Sequence, residues 1–429
     1  MRINQHSRSP ELLNLRRVVI TGIGVVAPNG CDLNSFWSST WKGISAAGLV
    51  SQFDTDEFAS KIAAEVRTLN WDKYFDAKKI KRYDKTIKFG IAAARDAVED
   101  SGLDLLDVDP DRKGIVEGTT VSGLQTIFKT HENYLSRGAT VVNPVSVVNG
   151  YCGEGSSILA LELGLHAHAI TYCSGCCSSN DALGYAAQMI QIDDADIMIA
   201  GGADANISRP LWASFNSLKV MTRSLDDPAR AMRPFDSRRD GFVLGEGAAF
   251  FVMEELGHAL NRRAKIYAEV LGHGRSCEAF HLVDLHPDGI GARRAMEKAL
   301  RRSRLMPDEV DYINAHGTAT RHNDPVESKA IANLFGSSSR RLAVSSTKPV
   351  TGHLMGAAGA LESAVCALAL HHQVIPPTIN LDKQDDACDL DYVPGEARPY
   401  PIDVALNLSA GFGGKNSCLV LGRVDKNRL

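Results

Sequence analysis

The chain has 429 residues, 44% of them hydrophobic, so it is long enough to bury a large core and to contain two packed units. Its 47 basic and 51 acidic side chains give a formal net charge of −4, with no long tail of either sign, which excludes a generic nucleic-acid footprint. The odd number of cysteines, nine, favours a reducing compartment over a disulfide framework and predicts a cytoplasmic location. Because no run approaches the ~20 apolar residues of a membrane helix, we expect a soluble protein that does not contact a membrane.

The start of the chain has no apolar stretch of the length that a signal peptide needs, so residues 1–16 are interpreted as a flexible leader. Two halves are expected to follow, an N-terminal half over 17–258 and a C-terminal half over 259–429. The division lies near residue 260 because the pattern of predicted elements restarts there.

In the first half, strand-like apolar runs alternate with helical stretches. The predicted strands are RRVVITG, KGIVEG, HAITY and DIMIAGG, and the predicted helices cover 87–101, 122–137, 177–192 and 209–220. After the apolar run GAAFFVMEEL, the second half repeats the alternation with the strands IYAEVLGHG, DYINAHG, RLAVSS and VALNLSAGFGG and the helices 290–304, 325–335 and 356–371. This alternation predicts an α/β protein with largely parallel sheets and an internal duplication.

The first strand ends in GIGVVA, which nominally matches a dinucleotide-binding fingerprint. Pro28, Asn29 and Gly30 follow at once, so no helix can begin where a pyrophosphate would need a helix N-terminus. We therefore reject a dehydrogenase and interpret these glycines as part of a tight turn.

The stretch CSGCCSSNDALG places Cys176 in the first turn of a helix that follows a predicted buried strand. The helix dipole and the free N–H groups at such a position are expected to lower the pKa of the thiol and could hold an oxyanion. An inert core cysteine is the alternative. Cys173 and Cys176 also have a zinc-like C-x-x-C spacing, but no second pair of ligands follows at short spacing.

Two histidines follow predicted strands of the second half, His316 in NAHGTAT and His353 in STKPVTGHLMGAAG. Each alone could be structural. Lys348 precedes His353 by five residues, and a nearby ammonium would keep an imidazole neutral. One soft nucleophile and two neutral imidazoles suit carbon–carbon bond formation from thioesters, since the sulfur can hold an acyl group while the imidazoles stabilise an enolate made by decarboxylation.

The predicted helix 356–371 is small or apolar at nearly every position, so it should be surrounded by protein. Glu362 is then a buried carboxylate that needs a lysine, backbone donors or a proton, unless it lies exposed at the rim of the helix. Near the C-terminus, SAGFGGKNS places Phe412 between glycines. Its ring could act as a gate and its N–H as an oxyanion donor, or it could be an ordinary packed residue of a turn.

Together these stretches resemble the β-ketoacyl-[acyl-carrier-protein] synthases, which are the ketosynthases among the thiolase-fold condensing enzymes. The resemblance is to the type II, condensing-enzyme II-like members of that group. The resemblance covers about residues 17–423 and follows, in order, VVITGIGVVAPNG, RPFDSRRDGFVLGEGA, NAHGTAT with NDPVE, STKPVTGHLMGAAGALE and SAGFGGKNS. It implies a thiolase-like fold of duplicated βαβαβ halves in a five-layer αβαβα arrangement. It also implies a homodimer or a heterodimer with a ketosynthase-like partner.

The resemblance implies an acyltransferase, a 3-oxoacyl-ACP synthase of fatty acid or type II polyketide biosynthesis. Cys176 would accept an acyl group from an acyl carrier protein, and malonyl-ACP would then undergo a decarboxylative Claisen condensation with it. His316 and His353 would promote the decarboxylation, supported by Lys348 and Glu362.

Further roles follow from the same resemblance. Thr318 and Thr320 would bind the phosphopantetheine arm, which arrives on the carrier protein, so no cofactor or metal is expected. Phe412 would be the gate, and its N–H would share the oxyanion hole with that of the nucleophile. Asp324 and Glu327 match acidic positions with a structural role.

Because carrier proteins are acidic, the resemblance predicts a basic rim. The candidate clusters are Lys78, Lys79, Lys81, Arg82, Lys85 and Lys88, and Arg223, Arg230 and Arg233. An ordinary solvated face remains the alternative for both. Residues of a dimer mate, around 143–151, would help to set the depth of the acyl pocket.

The chain departs from the common pattern at several positions. Cys177 stands where a small hydroxyl residue or alanine is usual, so it is a rival nucleophile, and HAHAIT lacks the usual Gly-Pro. Arg321 and Lys415 replace a frequent proline and a frequent threonine near the expected entrance and gate.

Three alternative functions stay open. The chain could be a catalytic subunit that works only with a chain-length-factor partner, as in aromatic or aryl-polyene polyketide synthesis. It could be a non-catalytic partner subunit, although such subunits usually lose the nucleophile. It could be a thiolase, which would need a second catalytic cysteine where Phe412 stands.

Overall fold

The computed structural model of the chain describes residues 15–76 and 78–424. Most of the predicted leader, residues 1–14, and the end of the predicted C-terminal half, residues 425–429, lie outside the described residues.

The first half forms seven strands and eight helices within the described residues. Its strands are β1 (Val18–Val26), β2 (Ala47–Leu49), β3 (Ile62–Ala64), β4 (Lys113–Gly118), β5 (Ala169–Tyr172), β6 (Ile197–Ala205) and β7 (Leu244–Glu255). Its helices are α1 (Leu33–Trp41), α2 (Lys85–Ser101), α3 (Leu124–Arg137), α4 (Ser146–Asn149), α5 (Glu154–Leu163), α6 (Ser178–Gln191), α7 (Arg209–Leu218) and α8 (Leu256–Asn261).

The second half adds seven strands and four helices in the described part of the chain. Its strands are β8 (Ala268–Cys277), β9 (Tyr312–Asn314), β10 (Ala343–Ser345), β11 (Val374–Ile375), β12 (Arg398–Pro399), β13 (Val404–Gly411) and β14 (Lys415–Gly422). Its helices are α9 (Ile290–Ser303), α10 (Asn323–Phe335), α11 (Lys348–Thr351) and α12 (Ala358–His372).

The strand order shows the duplication directly. The first half forms the order β1-β7-β6-β4-β5 and the second half the order β8-β14-β13-β9-β10, so corresponding strands occupy corresponding places. The two sheets join along one edge, where Val19 pairs with Glu269 and Ile20 with Ala268. The internal repeat predicted from the restart near residue 260 is therefore present in the topology.

The prediction of largely parallel sheets is wrong. β4 pairs in parallel with β5 and β6, but β7 runs antiparallel to both β1 and β6. In the second half β9 lies parallel to β10 and β13, whereas β14 runs antiparallel to β13 and β8. Antiparallel strands that are buried on both faces read as continuous apolar runs, which sequence alone does not distinguish from parallel ones.

Five layers of helices and sheets result, as the thiolase-like fold requires. α2 and α5 cover the outer face of the first sheet, and α9 and α10 cover the outer face of the second. α6 and α12 lie between the sheets and contact each other. The central position of α12 explains its composition, because every residue from Ala358 to Leu370 is buried.

The two central helices position the functional residues. α6 follows β5 and α12 follows β10, the corresponding strand of the other half. Residues in the loops before these helices therefore meet near the centre of the molecule, at the carboxyl ends of parallel strands, where open α/β sheets bind ligands. Among the described residues, none of the helices combines the length and hydrophobicity needed to cross a lipid bilayer.

Candidate active site

Three side chains that are distant in sequence meet between the two halves. The sulfur of Cys176 and one ring nitrogen from each of His316 and His353 lie within 4.8 Å of one another. All three residues are buried, with exposed fractions of 5%, 5% and 2%. We refer to Cys176, His316 and His353 as the central trio.

The central trio lines a cavity of about 550 Å³. Thr318, Thr320 and Phe412, predicted from the family resemblance to contact the pantetheine arm or to form the gate, line the same cavity. The hydroxyl groups of Thr318 and Thr320 are 3.1 Å apart. Sequence reasoning therefore brought together residues that share one cavity, while their individual roles stay predictions.

Local backbone geometry presents Cys176 to the cavity. Gly175 adopts a positive φ of 69°, a conformation that favours glycine, and a single 3₁₀ turn over Gly175–Cys177 leads into α6. The hydroxyl of Ser178 accepts from the N–H of Ser174 at 2.9 Å and donates to the carbonyl of Gly175 at 2.6 Å. These bonds fix the turn on which the thiol stands.

Cys177 is directed away from the cavity. It is buried, and its sulfur donates to the carbonyl oxygen of Ser409 at 3.3 Å. It does not line the cavity that Cys176 enters. Burial raises the pKa of the Cys177 thiol well above its ordinary value. The side chain of Cys177 therefore packs in the core and does not reach the cavity, so the geometry favours Cys176 as the nucleophile.

The expectation that the helix terminus lowers the pKa of Cys176 is wrong for this structure. Burial raises the pKa of the thiol to about 12, and the positive charge of Lys348 offsets only part of that effect. The free-energy cost of removing a thiolate from water is larger than the stabilisation that the backbone N–H of the turn supplies. The resting residue is therefore a neutral thiol, which must lose its proton as it reacts.

This raised pKa predicts how Cys176 responds to pH. Since the thiolate is the nucleophile, alkylation by iodoacetamide should accelerate by about tenfold per pH unit from pH 7 to pH 9 without reaching a plateau. Mass spectrometry of the peptide that contains Cys176, sampled over time, measures the rate. A plateau below pH 8 would contradict the burial argument.

The loop that carries His316 is held from two sides. The carboxylate of Glu327 accepts from the N–H of His316 at 2.6 Å and from the N–H of Gly317 at 2.8 Å. On the other side, the ammonium of Lys348 donates to the carbonyl oxygen of His316. Glu327 is 3% exposed, and burial raises its pKa to about 7. These contacts are consistent with the structural role predicted for this acidic position.

Both imidazoles are neutral. Burial lowers the pKa of His316 and of His353 well below the ordinary value, and the charge of Lys348 lowers both further. The rings are 5.3 Å apart and nearly perpendicular, at 83°. The Nδ1 atoms of both rings are buried and find no hydrogen-bond partner among the described residues.

The unpartnered Nδ1 atoms indicate where the ring protons are. A buried donor without a partner is rarer in proteins than an under-satisfied acceptor. We therefore assign the proton of each neutral ring to Nε2. Each imidazole of the central trio can then donate one N–H.

Lys348 and Glu362 form a buried ion pair behind the histidines. Lys348 is 1% exposed, and its ammonium donates to a carboxylate oxygen of Glu362. Glu362 is 4% exposed, so the prediction of a buried carboxylate is confirmed and the alternative, exposure at the rim of the helix, is wrong. Burial raises the pKa of Glu362 to about 7, against the opposing effect of Lys348.

The glycine-rich hairpin between β13 and β14 lies against the nucleophile. A Cβ atom added at Gly411 would lie 3.1 Å from the backbone nitrogen of Cys176. Phe412 follows, with 37% of its surface exposed, and Gly413 and Gly414 have positive φ angles of 79° and 70°. Outside the helices and strands of the described residues, no backbone hydrogen bond uses the N–H of Cys176 or that of Phe412, and the N–H of Cys176 contacts its own sulfur. Both groups are therefore candidate oxyanion donors.

Basic side chains outnumber acidic ones where the cavity reaches the surface. Lys219, Arg223 and Arg321 are exposed and line it, together with the acidic Asp240 and Asp284. Within the described part of the chain, Arg223 forms no ion pair, whereas Arg230 of the same predicted cluster pairs with Asp382. In the first predicted cluster, the lysines at 79 and 85 are paired with carboxylates.

Asp204 is a site residue that sequence reasoning missed. It is fully buried at the end of β6 and accepts from the N–H groups of Thr120 and Val121 at about 3 Å and from that of Gly356 at 2.7 Å. It therefore ties the loop after β4 to the turn before α12. The available signal was a carboxylate directly after GGA at the end of an apolar strand.

The residues that the structure describes contain one group of three side chains close enough to hold a metal ion, and this group is the central trio. The charge of Lys348 acts on all three members, so it opposes a divalent cation there. The zinc-like spacing does not produce a site, because Cys173 is exposed and its side chain hydrogen-bonds to Cys152.

Comparison with known families gives matches over most of the chain. The family model "Beta-ketoacyl synthase, N-terminal domain" matches residues 15–259, and "Beta-ketoacyl synthase, C-terminal domain" matches residues 267–382. These ranges cover every member of the central trio.

Three similar proteins span nearly the whole chain. A 3-oxoacyl-[acyl-carrier-protein] synthase 2 from Coxiella burnetii is 42% identical over 95% of this chain and 99% of its own length. The tetracenomycin polyketide synthase ketoacyl synthase alpha subunit from Streptomyces glaucescens is 40% identical over 96% of this chain and 98% of its own. The solved structure of the ishigamide ketosynthase/chain length factor superposes with a TM-score of 0.90 at 35% identity, covering 96% of this chain and 100% of that one.

Proposed function

The chain belongs to the β-ketoacyl synthase family, and on that premise we propose that it extends an acyl group with the two-carbon unit of malonyl, both delivered as thioesters by an acyl carrier protein. The observation that carries this proposal is the convergence of the central trio within 4.8 Å in the wall of one cavity. The proposed location is the cytoplasm. No resident cofactor is needed, since the phosphopantetheine arrives on the carrier.

In the first half-reaction, Cys176 attacks the acyl thioester. Its thiol loses a proton as the carbon–sulfur bond forms, and the sulfur of the departing pantetheine takes up a proton, so one thiol replaces another. The oxygen of the tetrahedral intermediate accepts from the N–H groups of Cys176 and Phe412. The step exchanges one thioester for another, so it needs no oxidant, metal or nucleotide.

In the second half-reaction, malonyl carrier protein occupies the same cavity. Its thioester carbonyl accepts from the Nε2–H groups of His316 and His353, which stabilise the enolate formed as the carboxylate leaves as CO₂. The enolate carbon attacks the acyl carbonyl, and the bond to Cys176 breaks, which releases the sulfur as a thiolate that takes up a proton from water to restore the thiol. The neutral state of both imidazoles is essential here, because it leaves each ring with one proton to donate.

The pantetheine arm is proposed to bind along Thr318 and Thr320, which line the cavity and hydrogen-bond to each other. Phe412 is proposed to act as the gate, since the glycines after it permit the hairpin to change conformation. The Lys348–Glu362 pair is proposed to support the histidines, through the bond from Lys348 to the carbonyl of His316.

A test of the function is intact-mass analysis of the protein after incubation with acyl carrier proteins bearing acyl groups of graded length. We expect a mass increase equal to the acyl group, and release of a 3-oxoacyl carrier protein when malonyl carrier protein is added. Protein that acquires no acyl mass with any chain length, alone or with a partner subunit, would contradict the proposal.

A second candidate is a catalytic subunit that requires a ketosynthase-like partner, such as a chain length factor. The observation that favours it is the similarity to the tetracenomycin alpha subunit and to the ishigamide ketosynthase/chain length factor. Activity of the purified chain alone would favour a homodimer in fatty acid synthesis. Activity only after addition of a partner subunit would favour the heterodimer in polyketide synthesis.

Carrier-protein docking is expected to depend on Arg223. The Arg223→Glu substitution places a negative charge at the cavity mouth, so it should raise the KM for the acidic carrier protein by about tenfold at low salt, with little change in kcat. The effect should shrink as ionic strength rises. Arg230→Glu is the matched control because Arg230 is already paired with Asp382. Equal KM values for the two variants would contradict a docking role at the mouth.

A further inference from the structure

A buried polar cluster lies beside the central trio and has no part in the mechanism above. It consists of Ser174, Asp181, His273 and Ser417, which come from four different segments of the chain. Asp181, His273 and Ser417 are 5%, 8% and 0% exposed. We refer to these four residues as the aspartate cluster.

Asp181 is the centre of the aspartate cluster. One carboxylate oxygen accepts from the hydroxyl of Ser174 at 2.7 Å. The other accepts from the hydroxyl of Ser417 at 2.9 Å and lies 3.3 Å from Nε2 of His273. Burial would raise the pKa of Asp181, but the bonds from His273, Ser174 and Ser417 hold it below its ordinary value, so the group is a carboxylate.

The protons in the cluster can be assigned from these contacts. The hydroxyl of Ser417 donates to Asp181, so its oxygen can accept from Nε2 of His273 at 2.9 Å. Burial lowers the pKa of His273, so the ring is neutral and carries its proton on Nε2. Every donor in the cluster then has an acceptor, which gives the cluster one defined geometry.

The members of the cluster connect the two sides of the proposed oxyanion hole. Ser174 is two residues before the nucleophile, and Ser417 lies on β14, just after the glycine-rich hairpin that carries Phe412. β8, which contributes His273, pairs with β14 along its length, and the N–H of Glu278 beyond it donates to the carbonyl of Gly414 at 2.9 Å. The packing is tight, since a Cβ atom at Gly184 of α6 would lie 2.1 Å from the His273 ring.

We propose that Asp181 is a positioning residue that sets the distance between the two N–H groups of the oxyanion hole, through its simultaneous bonds to Ser174 and Ser417. This inference rests on the proposed function and adds to it. Loss of either bond leaves the thiol in place but lets one wall of the hole move relative to the other. A displacement of about 1 Å can cost up to about a hundredfold in rate when it affects the geometry of the reacting groups.

The test compares two reactions of the same sulfur. Transfer of an acyl group from a carrier-protein thioester needs the oxyanion hole, whereas alkylation by iodoacetamide forms no oxyanion. Ser174→Ala and Ser417→Ala should each slow acyl transfer by about tenfold while alkylation stays within about twofold of wild type. The double variant and Asp181→Asn should show a similar loss to the single variants, because all of them break the same link.

Controls separate this role from simple destabilisation. Ser174→Thr retains the hydroxyl of a half-buried residue and should keep acyl transfer within about threefold of wild type, as the conservative rescue. Losses that multiply in the double variant, an equal loss in alkylation, or no loss in any variant would each overturn the proposal. If wild type itself acquires no acyl group, the proposed function fails, and this inference falls with it for that separate reason.

Discussion

Acyl transfer to the Cys176→Ala variant is expected to be undetectable, a loss of at least about 10³-fold. The methyl group of alanine cannot form the acyl-enzyme, and the neighbouring sulfur of Cys177 is bonded to the carbonyl of Ser409 and does not line the cavity. Intact-mass analysis after incubation with acyl carrier protein measures the result. Because the replaced side chain is small and borders a cavity, the variant should remain folded by circular dichroism.

Cys177→Ala provides the matched control for this prediction. It removes a buried sulfur that packs against the sheet, so it should lower stability modestly and leave acylation within about tenfold of wild type. Full activity of Cys176→Ala together with an inactive Cys177→Ala would transfer the nucleophile to position 177 and contradict the assignment.

Condensation is expected to fall by about 10²–10³-fold when either His316 or His353 is replaced by alanine. Each substitution removes one N–H donor from the enolate, and in this buried site water is a poor replacement. Acylation of Cys176 should fall much less, since the oxyanion of that step accepts from the backbone N–H groups of Cys176 and Phe412 and not from the imidazoles. Release of CO₂ from malonyl carrier protein and growth of the acyl-enzyme mass, measured on the same samples, separate the two steps.

His322→Ala is the control for the histidine substitutions. His322 is exposed and lies at the mouth of the same cavity, but it is not part of the central trio. It should leave decarboxylation within about twofold of wild type. Equal losses of acylation and decarboxylation in the His316 and His353 variants would mean that these residues maintain the fold of the site rather than bind the enolate.

The sequence was sufficient for most of the long elements and for the members of the central trio, but the predicted order lacked α1, α5 and β14. Strong apolar periodicity predicted the long strands and helices, and small residues around His316 and His353 marked turns at strand ends. The duplication was predictable because the alternation of strand-like and helical stretches restarts near residue 260. Strand direction was not predictable, since β7 and β14 are buried on both faces and look the same in either orientation.

The electrostatic state of the nucleophile could not be predicted from the sequence. A cysteine at a helix N-terminus suggests a thiolate, but the pKa of Cys176 depends on how completely the two halves exclude water from the sulfur. That exclusion is a property of the assembled core. The histidines behaved as expected because burial and the charge of Lys348 act on them in the same direction.

The buried residues that join segments around the site were missed for a related reason. Asp204 and the aspartate cluster bridge segments that lie far apart in the chain, as in the pairing of Asp181 with Ser417. Each such residue alone has no spacing that marks it. Only the packing of α6 against both sheets brings their partners within hydrogen-bonding distance.

The central claim is that one sulfur and two imidazoles carry out acyl transfer, decarboxylation and bond formation in a single cavity. A single-turnover chase tests it most directly: protein acylated at Cys176 is mixed with malonyl carrier protein, and the masses of both proteins are followed together. The account predicts that the acyl mass on the Cys176 peptide disappears at the rate at which a 3-oxoacyl group, longer by two carbons, appears on the carrier protein. Acyl mass that persists on Cys176 while product forms, or that is located on another residue, would contradict it.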